Sequence, residues 1–199
     1  MDFKTHLENA WRLTFKYIAP LIIMTLVMIA VCFFTLGILA PVAMAGYMQS
    51  ILLMIRDGRE PKVQDIFSHM RLFFPLLLFG IVVFITALIG FLLFVIPGIA
   101  VVLAVAYCCL YMLILMTDRQ IGIIDAVKES FSMTTNGNWI DNLAVFIIFI
   151  GIIALGGTTF IGSLFTQPFA TIFLMSVYLE KTGKGGMDVE VAVESKEGQ

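Results

Sequence analysis

The chain has 199 residues, of which 60% are hydrophobic and 13% charged, and its mean hydropathy is +1.02. A soluble domain usually carries about 25% charged residues, so lipid must cover part of this apolar surface. The net charge of −2 gives no basis for binding nucleic acid. The cysteines Cys32, Cys108 and Cys109 lie in apolar runs and make no disulfide framework.

The charged residues are confined to four segments: 1–17, 56–71, 118–141 and 180–199. Between them lie three uncharged runs: 17–55, 72–117 and 142–179. A run of 38 residues would make a helix about 57 Å long, against a hydrocarbon core of about 30 Å. Each run is therefore predicted to cross the membrane twice, which gives six spans. Basic residues mark the cytoplasmic side, so both termini are predicted to be cytoplasmic.

The N-terminal segment, residues 2–17, predicts an amphipathic helix in the membrane interface, with Trp11 at headgroup depth. One face carries Phe3, Leu7, Ala10, Trp11 and Phe15, and the other carries Lys4, Glu8, Arg12 and Lys16. The alternative is a cytoplasmic extension of the first span. The apolar stretch from Ile18 to Gly37 is longer than the signal-peptide core of about 7–15 residues, which favours a retained span.

The first hairpin is predicted to turn at 36–41, with Pro41 opening a second span that ends near Ile55. Gly46 and Ser50 form a pair of small residues that permits close helix approach. From Val63 onward the next charged segment is again amphipathic, with Ile66, Phe67 and Met70 opposite Gln64, Asp65, His69 and Arg71. His69 is interpreted as an exposed interfacial side chain.

The second hairpin is predicted from about Leu72 to Gly90 and, after a turn that contains Pro97, onward to about Thr117. Ala100, Ala104 and Cys108 recur every four residues and predict a narrow packing face. Tyr107 and Tyr111 are expected to be interhelical hydrogen-bond donors or interface residues.

The third hairpin follows the amphipathic stretch 118–141, whose apolar face includes Phe131. The turn Asn136-Gly137-Asn138 separates this stretch from Trp139, an expected interface anchor. Its spans are predicted at about Leu143–Leu155, softened at its end by Gly156 and Gly157, and at about Pro168–Leu179. Hydroxyl residues cluster at the turn: Thr158, Thr159, Ser163, Thr166 and Thr171. We interpret them as satisfying backbone groups freed by glycine and proline, with a pore or lipid cavity as the alternative.

The three modules read as copies of one unit within a single transmembrane domain, 1–183, that precedes a flexible cytoplasmic tail, 184–199. The copies span about 3–60, 61–120 and 121–183. Three strings align without gaps: Ala10-Trp11-Arg12-Leu13-Thr14, His69-Met70-Arg71-Leu72-Phe73 and Ser130-Phe131-Ser132-Met133-Thr134. A proline is expected to open the second span of each copy: Pro41, Pro97 and Pro168. The alternative is that any six-span protein shows such a period.

The string DAVKESFSMTTNGNW, followed by an apolar hairpin with a proline, resembles a bacterial superfamily of six-span integral membrane proteins. That superfamily includes the membrane domain fused to some glycerophosphodiester phosphodiesterases. The resemblance covers most of residues 3–183 and implies an all-α fold of the inner membrane. It implies no catalytic residues, and the soluble phosphodiesterase domain is absent from this chain.

The spans contain no ionisable residue, which argues against an ion-coupled transporter. The first hypothesis is a non-enzymatic scaffold, accessory or lipid-organising protein, with membrane lipids, another membrane protein or a second copy as partner and no cofactor or metal. The second is a transporter or channel for lipids or small apolar molecules. The third is an enzyme that uses His69, Asp65, Asp125 and Glu129 in the charged segments.

Overall fold

The computed structural model describes residues 3–93, 95–135, 139–157 and 159–183, which form helices and turns without a strand. The α-helices of this part of the chain are α1 (Phe3–Lys16), α2 (Ile18–Phe34), α3 (Ala40–Asp57), α4 (Phe73–Leu93), α5 (Val95–Cys108), α6 (Met112–Asp118), α7 (Ile123–Thr135), α8 (Trp139–Gly157) and α9 (Phe160–Lys181). Two short 3-10 helices, Val63–Phe67 and Met70–Leu72, connect α3 to α4. The turn predicted at 136–138, Thr158 and the predicted tail 184–199 lie outside the described residues.

Four helical stretches of the described chain are long and apolar enough to cross a membrane: Val63–Phe91, Gly98–Asp118, Trp139–Gly157 and Gly162–Lys181. The count becomes five if the pair α1 and α2, bent by 88° at Tyr17, is taken as one broken span. The prediction of an all-α protein with membrane-spanning helices is thereby confirmed. Helix α3 is not among these stretches.

Helix α9 lies at the centre of the fold. It packs against α1, α2, α3 and α8. Its second half is buried on nearly every side, and the fully buried residues there are Thr171, Ile172, Phe173, Leu174, Met175, Val177, Tyr178 and Leu179. The core of the protein therefore surrounds the last helix of the described chain.

The three prolines take different positions from one another. Pro41 is the second residue of α3 and Pro97 the third of α5, so both stand in a first turn, where proline is tolerated. Pro168, by contrast, lies inside α9, which begins at Phe160 after the N-cap Thr159. The expectation that Pro168 opens its span is therefore wrong, because neighbouring groups can satisfy the backbone around a proline inside a membrane helix.

The second amphipathic segment adopts two 3-10 helices rather than one α-helix. Its Ile66 is fully buried, and the first 3-10 helix packs against both α2 and α3. A Cβ atom on Gly46 would overlap the backbone carbonyl oxygens of Asp65 and Ile66. The small residues Gly46 and Ser50 therefore pack against the first 3-10 helix, and not against another long helix. His69 is buried, which corrects the expectation of an exposed side chain.

Helices α4 and α5 form a hairpin that packs mainly on itself and touches the rest of the bundle at few places. At its tip, the backbones of Gly90 and Gly98 lie so close that a Cβ on Gly90 would be 3.0 Å from the Cα of Gly98. Ala100 and Ala104 are exposed, so the narrow packing face that their spacing predicts is not buried within this chain.

Helix α1 runs almost perpendicular to α2, as expected for a helix that lies along a membrane surface. The aligned residues Trp11, Met70 and Phe131 have 59%, 44% and 51% of their surface exposed, respectively. Trp139, the first residue of α8, is 59% exposed. Large apolar side chains are therefore exposed at the three positions that the predicted repeat aligns.

Candidate functional site

A cavity of about 440 Å³ lies where the third hairpin turns against α2, and we call it the hairpin cavity. Its lining residues are Thr25, Met28 and Ile29 from α2, Gly157 from the end of α8, Thr159 from the turn, and Ser163 and Gln167 from α9. This volume falls within the range of about 300–1,000 Å³ typical of small-ligand sites. The mixture of apolar and uncharged polar side chains suits an amphipathic ligand.

Two polar side chains of the hairpin cavity are fixed by neighbours. The Thr25 hydroxyl donates to the carbonyl of Leu21 at 2.8 Å and lies 3.0 Å from the hydroxyl of Tyr47. The Gln167 amide nitrogen contacts the sulfur of Met44 at 3.5 Å. The Gln167 amide oxygen has no hydrogen-bond partner within the described residues, so it is an acceptor available to a ligand.

The hydroxyl cluster of the third hairpin serves mainly the backbone. The Thr159 side chain accepts from the Gly162 amide at 3.1 Å, and the Thr166 hydroxyl donates to the Gly162 carbonyl at 3.1 Å. The Thr171 hydroxyl donates to the Gln167 carbonyl at 2.9 Å. The interpretation as backbone partners is confirmed for these three residues. Thr159 also lines the hairpin cavity, so this side chain can both bond the backbone and form part of a cavity wall.

The glycine pair at the end of α8 shapes the same turn. Gly156 is buried, and a Cβ atom on it would overlap the side chain of Thr166. Gly157 faces open space and contributes to the cavity wall. Close approach of α8 to α9 therefore requires a glycine at 156, whereas the backbone of 157 leaves room for the cavity.

At the other end of the bundle, Asp118 joins three helices. Its side chain is only 3% exposed. Arg56 of α3 donates from Nη2 to Asp118 Oδ1 at 2.8 Å, and the hydroxyl of Tyr178 in α9 donates to Oδ2 at 2.9 Å. A buried carboxylate needs such partners, because an unpaired charge would not remain ionised away from water. The sequence places Asp118 in a charged loop and gave no indication of this burial.

His6 of α1 connects to α9 across 170 residues of sequence. Its Nδ1 is hydrogen-bonded to Ser176 Oγ and its Nε2 to Glu180 Oε2. A hydroxyl, an imidazole and a carboxylate in a row also occur in hydrolases. Ser176 is buried and lines neither the hairpin cavity nor the cavity between α1 and α9. The row connects the first and last helices of the described chain, and we call it the clamp between α1 and α9.

The C-terminus of α7 is held by a third network. Asn142 donates from Nδ2 to the carbonyls of Met133 and Thr134 at 3.0 and 2.9 Å. Lys181 of α9 binds Asn142 Oδ1 and donates to the Met133 carbonyl, which places a cation at the negative end of the helix dipole. The Tyr107 hydroxyl donates to the Thr134 carbonyl at 3.0 Å, as expected for an interhelical donor.

The residues weighed for an enzyme are largely engaged in structural contacts. Asp65 accepts from Ser50 Oγ at 2.7 Å and pairs with Arg59. Glu129 pairs with Arg119, and His69 is hydrogen-bonded to its neighbour Ser68. Within the described residues, no group of three or more His, Cys, Asp or Glu side chains is placed to hold a metal ion.

A second, shallower cavity of about 480 Å³ lies between α1 and α9, and we call it the α1–α9 groove. Its lining residues are Leu7, Glu8, Trp11, Arg12 and Phe169. The rings of Trp11 and Phe169 meet edge to face, with centroids 6.1 Å apart.

Comparison with models of protein families found no match, and comparisons with curated proteins and with solved structures found none either.

Proposed function

We propose that the chain is a non-enzymatic integral membrane protein of the bacterial inner membrane, acting as a scaffold, accessory subunit or lipid-organising factor. The observation that carries the proposal is the division of the molecule. The ionisable side chains of His6, Asp118 and Lys181 belong to networks that connect α1, α6 and α8 to α9. The α4–α5 hairpin instead presents most of its apolar surface outward, where lipid or a partner helix can contact it.

The proposal is tested by photo-crosslinking combined with purification in mild detergent. A photoreactive amino acid at Leu78 of α4, which is 65% exposed, should form adducts with lipid or with a partner protein that mass spectrometry identifies. The matched control is Leu174 of α9, which is fully buried and should crosslink only within the chain. Equal external adducts from both positions would contradict the division on which the proposal rests.

The proposed topology has six spans with both termini in the cytoplasm, so α2 and α3 each cross the membrane. Helix α3 has 18 residues, which corresponds to about 27 Å. It is less apolar than the other spans because most of it faces protein rather than lipid, including Gly46, Tyr47 and Ser50. Reporter fusions after Gly58, Gly122 and Gln199 should all report a cytoplasmic location, and a periplasmic signal at any of them would rule out this topology.

The proposed threefold repeat is supported by the exposed residues at the aligned positions 11, 70 and 131. The first and third copies contain an amphipathic helix followed by two helices, whereas the second contains the two 3-10 helices followed by α4 and by a second run that is divided into α5 and α6. We also propose that the chain belongs to the six-span superfamily that it resembles.

The alternative function is a transporter or channel for lipids or small apolar molecules, and the hairpin cavity favours it. The test is movement of a fluorescent lipid across proteoliposomes. Under this alternative, transport exceeds that of empty liposomes and falls when Gln167→Leu removes the free acceptor. Thr86→Val is the control, because the Thr86 hydroxyl on exposed α4 bonds only its own helix. Transport no greater than in empty liposomes supports the scaffold.

A further inference from the structure

Helix α1 carries three distinct faces. The face packed on the bundle contains His6, Ala10, Leu13 and Thr14. A stripe of apolar residues, Phe3, Leu7, Trp11 and Phe15, runs beside it, and two of its three aromatic members, Trp11 and Phe15, are exposed. A charged stripe with a spacing of four residues follows: Lys4, Glu8, Arg12 and Lys16. The charged stripe holds three cations and one anion and borders the α1–α9 groove.

Arg12 is the cation at this groove that lacks a protein partner. Glu8, the groove's acidic residue, lies 3.7 Å from Lys4, which offsets its charge. Arg12 is exposed and has no hydrogen bond or ion pair with any described residue. Directly beside it, Trp11, Leu7 and Phe169 provide apolar walls. A guanidinium next to an apolar cleft matches a ligand with an anionic head and a hydrocarbon chain.

We propose that the α1–α9 groove binds an anionic phospholipid, with its phosphate on Arg12 and one acyl chain along Leu7, Trp11 and Phe169. The inference rests on the proposed membrane location. It commits to lipid because α1 is perpendicular to α2 and thus runs at the depth of the headgroups, where a cationic stripe meets anionic lipid. The groove volume of about 480 Å³ suits a headgroup and the first part of a chain.

The corresponding segments of the other two modules lack this combination. In α7, exposed Phe131 is followed by Ser132, and the charges of that helix are Asp125, Lys128 and Glu129, of which Glu129 is already paired with Arg119. In the second module, Arg71 is exposed beside Met70, yet neither residue lines the groove. Arg71 is therefore a matched control for an exposed arginine outside the site.

The test uses Trp11 as the reporter. The chain contains two tryptophans, so Trp139→Phe leaves Trp11 as the single one. The full chain is reconstituted in vesicles of phosphatidylcholine with a fixed fraction of brominated phosphatidylglycerol, or with the same fraction of brominated phosphatidylcholine, and quenching of Trp11 fluorescence is measured. The anionic lipid should show an apparent association constant about fivefold higher, as one added arginine contact implies.

In the same background, Arg12→Gln should remove this preference, and Arg71→Gln should leave it unchanged. Equal quenching by the two lipids, or equal loss in both variants, would overturn the inference, since general surface charge would then explain the signal. Weak quenching by both lipids would also overturn it, because Trp11 would then face protein. Selective quenching without co-purifying partners would remove the scaffold function and leave this lipid site intact.

Discussion

Helices α4 and α9 are opposites in composition and environment. The most apolar 18-residue segment among the candidate spans lies in the stretch containing α4, and 6% of that segment is buried inside the protein. The corresponding segment of the stretch containing α9 is the least apolar, and 61% of it is buried. In a soluble protein this relation would be reversed, because there the most apolar segments form the core. In a membrane protein, lipid solvates apolar side chains as well as protein does, so the interior can accommodate more polar groups.

This contrast explains where specificity lies in the molecule. Polar groups of α9 bond to three other helices: Ser176 and Glu180 to His6 of α1, Tyr178 to Asp118 of α6, and Lys181 to Asn142 of α8. Such bonds have direction and fix the order of the helices, whereas contacts between apolar side chains and lipid do not.

The largest effect is expected at Asp118. Replacement by alanine leaves Arg56 without its carboxylate and the Tyr178 hydroxyl without an acceptor, so the free energy of unfolding should fall by about 3 kcal/mol. Tyr178→Phe, which removes only one hydrogen bond, should cost about 1 kcal/mol. Denaturant titration in mixed micelles measures both. A loss below 1 kcal/mol on Asp118→Ala would mean that the network is not formed.

Leucine truncation should distinguish the two helices directly. Leu174→Ala in α9 opens a cavity in the packed core and should lower the free energy of unfolding by about 2 kcal/mol. Leu78→Ala in α4 faces outward, where lipid fills the space, and should change it by less than about 0.5 kcal/mol. The same titration compares the two variants, and similar losses would show that α4 is also packed inside the protein.

Glycine substitution provides a smaller test with opposite signs. Gly156→Ala pushes a methyl group into Thr166 and should cost about 1–2 kcal/mol. Gly80→Ala on α4 meets open space and improves helix propensity, so it should stabilise by up to about 1 kcal/mol. Thermal unfolding followed by circular dichroism measures the stability of both variants. Stabilisation by Gly156→Ala would contradict the close contact of α8 with α9.

The smallest effect is expected for the exposed pair of Lys4 and Glu8. Their side chains are 84% and 65% exposed, so Lys4→Gln should change stability by no more than about 0.5 kcal/mol. Repeating the measurement at high salt should leave no difference between the variant and the parent chain. A larger loss would show that α1 is held by charge rather than by its clamp on α9.

Sequence patterns revealed the helical membrane fold because uncharged runs reflect the environment of whole helices. They did not reveal which helix is central, because an uncharged run is expected both of a helix that faces lipid and of one that faces protein. The start of α9 was misplaced at Pro168, although Thr159 is a hydroxyl residue of the kind that caps helices and was a usable signal.

The polar contacts were the least accessible to sequence analysis. His6 and Ser176 are far apart in the chain, and nothing in their local context links them. Similarly, the 3-10 form of the second amphipathic segment follows from its insertion against Gly46, a tertiary contact that overrides the local helical pattern. Of the candidate site, the sequence indicated the hydroxyl-rich third hairpin and Trp11, but neither the cavity at the former nor the groove beside the latter.

The clamp between α1 and α9 brings the first and last described helices into contact. Because the first and last described helices are neighbours, a linker between them need not cross the described part of the fold. New ends opened in the connection 58–62, after the C-cap Gly58, would then give a circular permutant in which α4 precedes α1. The order in which the helices are synthesised would change, while their neighbours in space would stay the same.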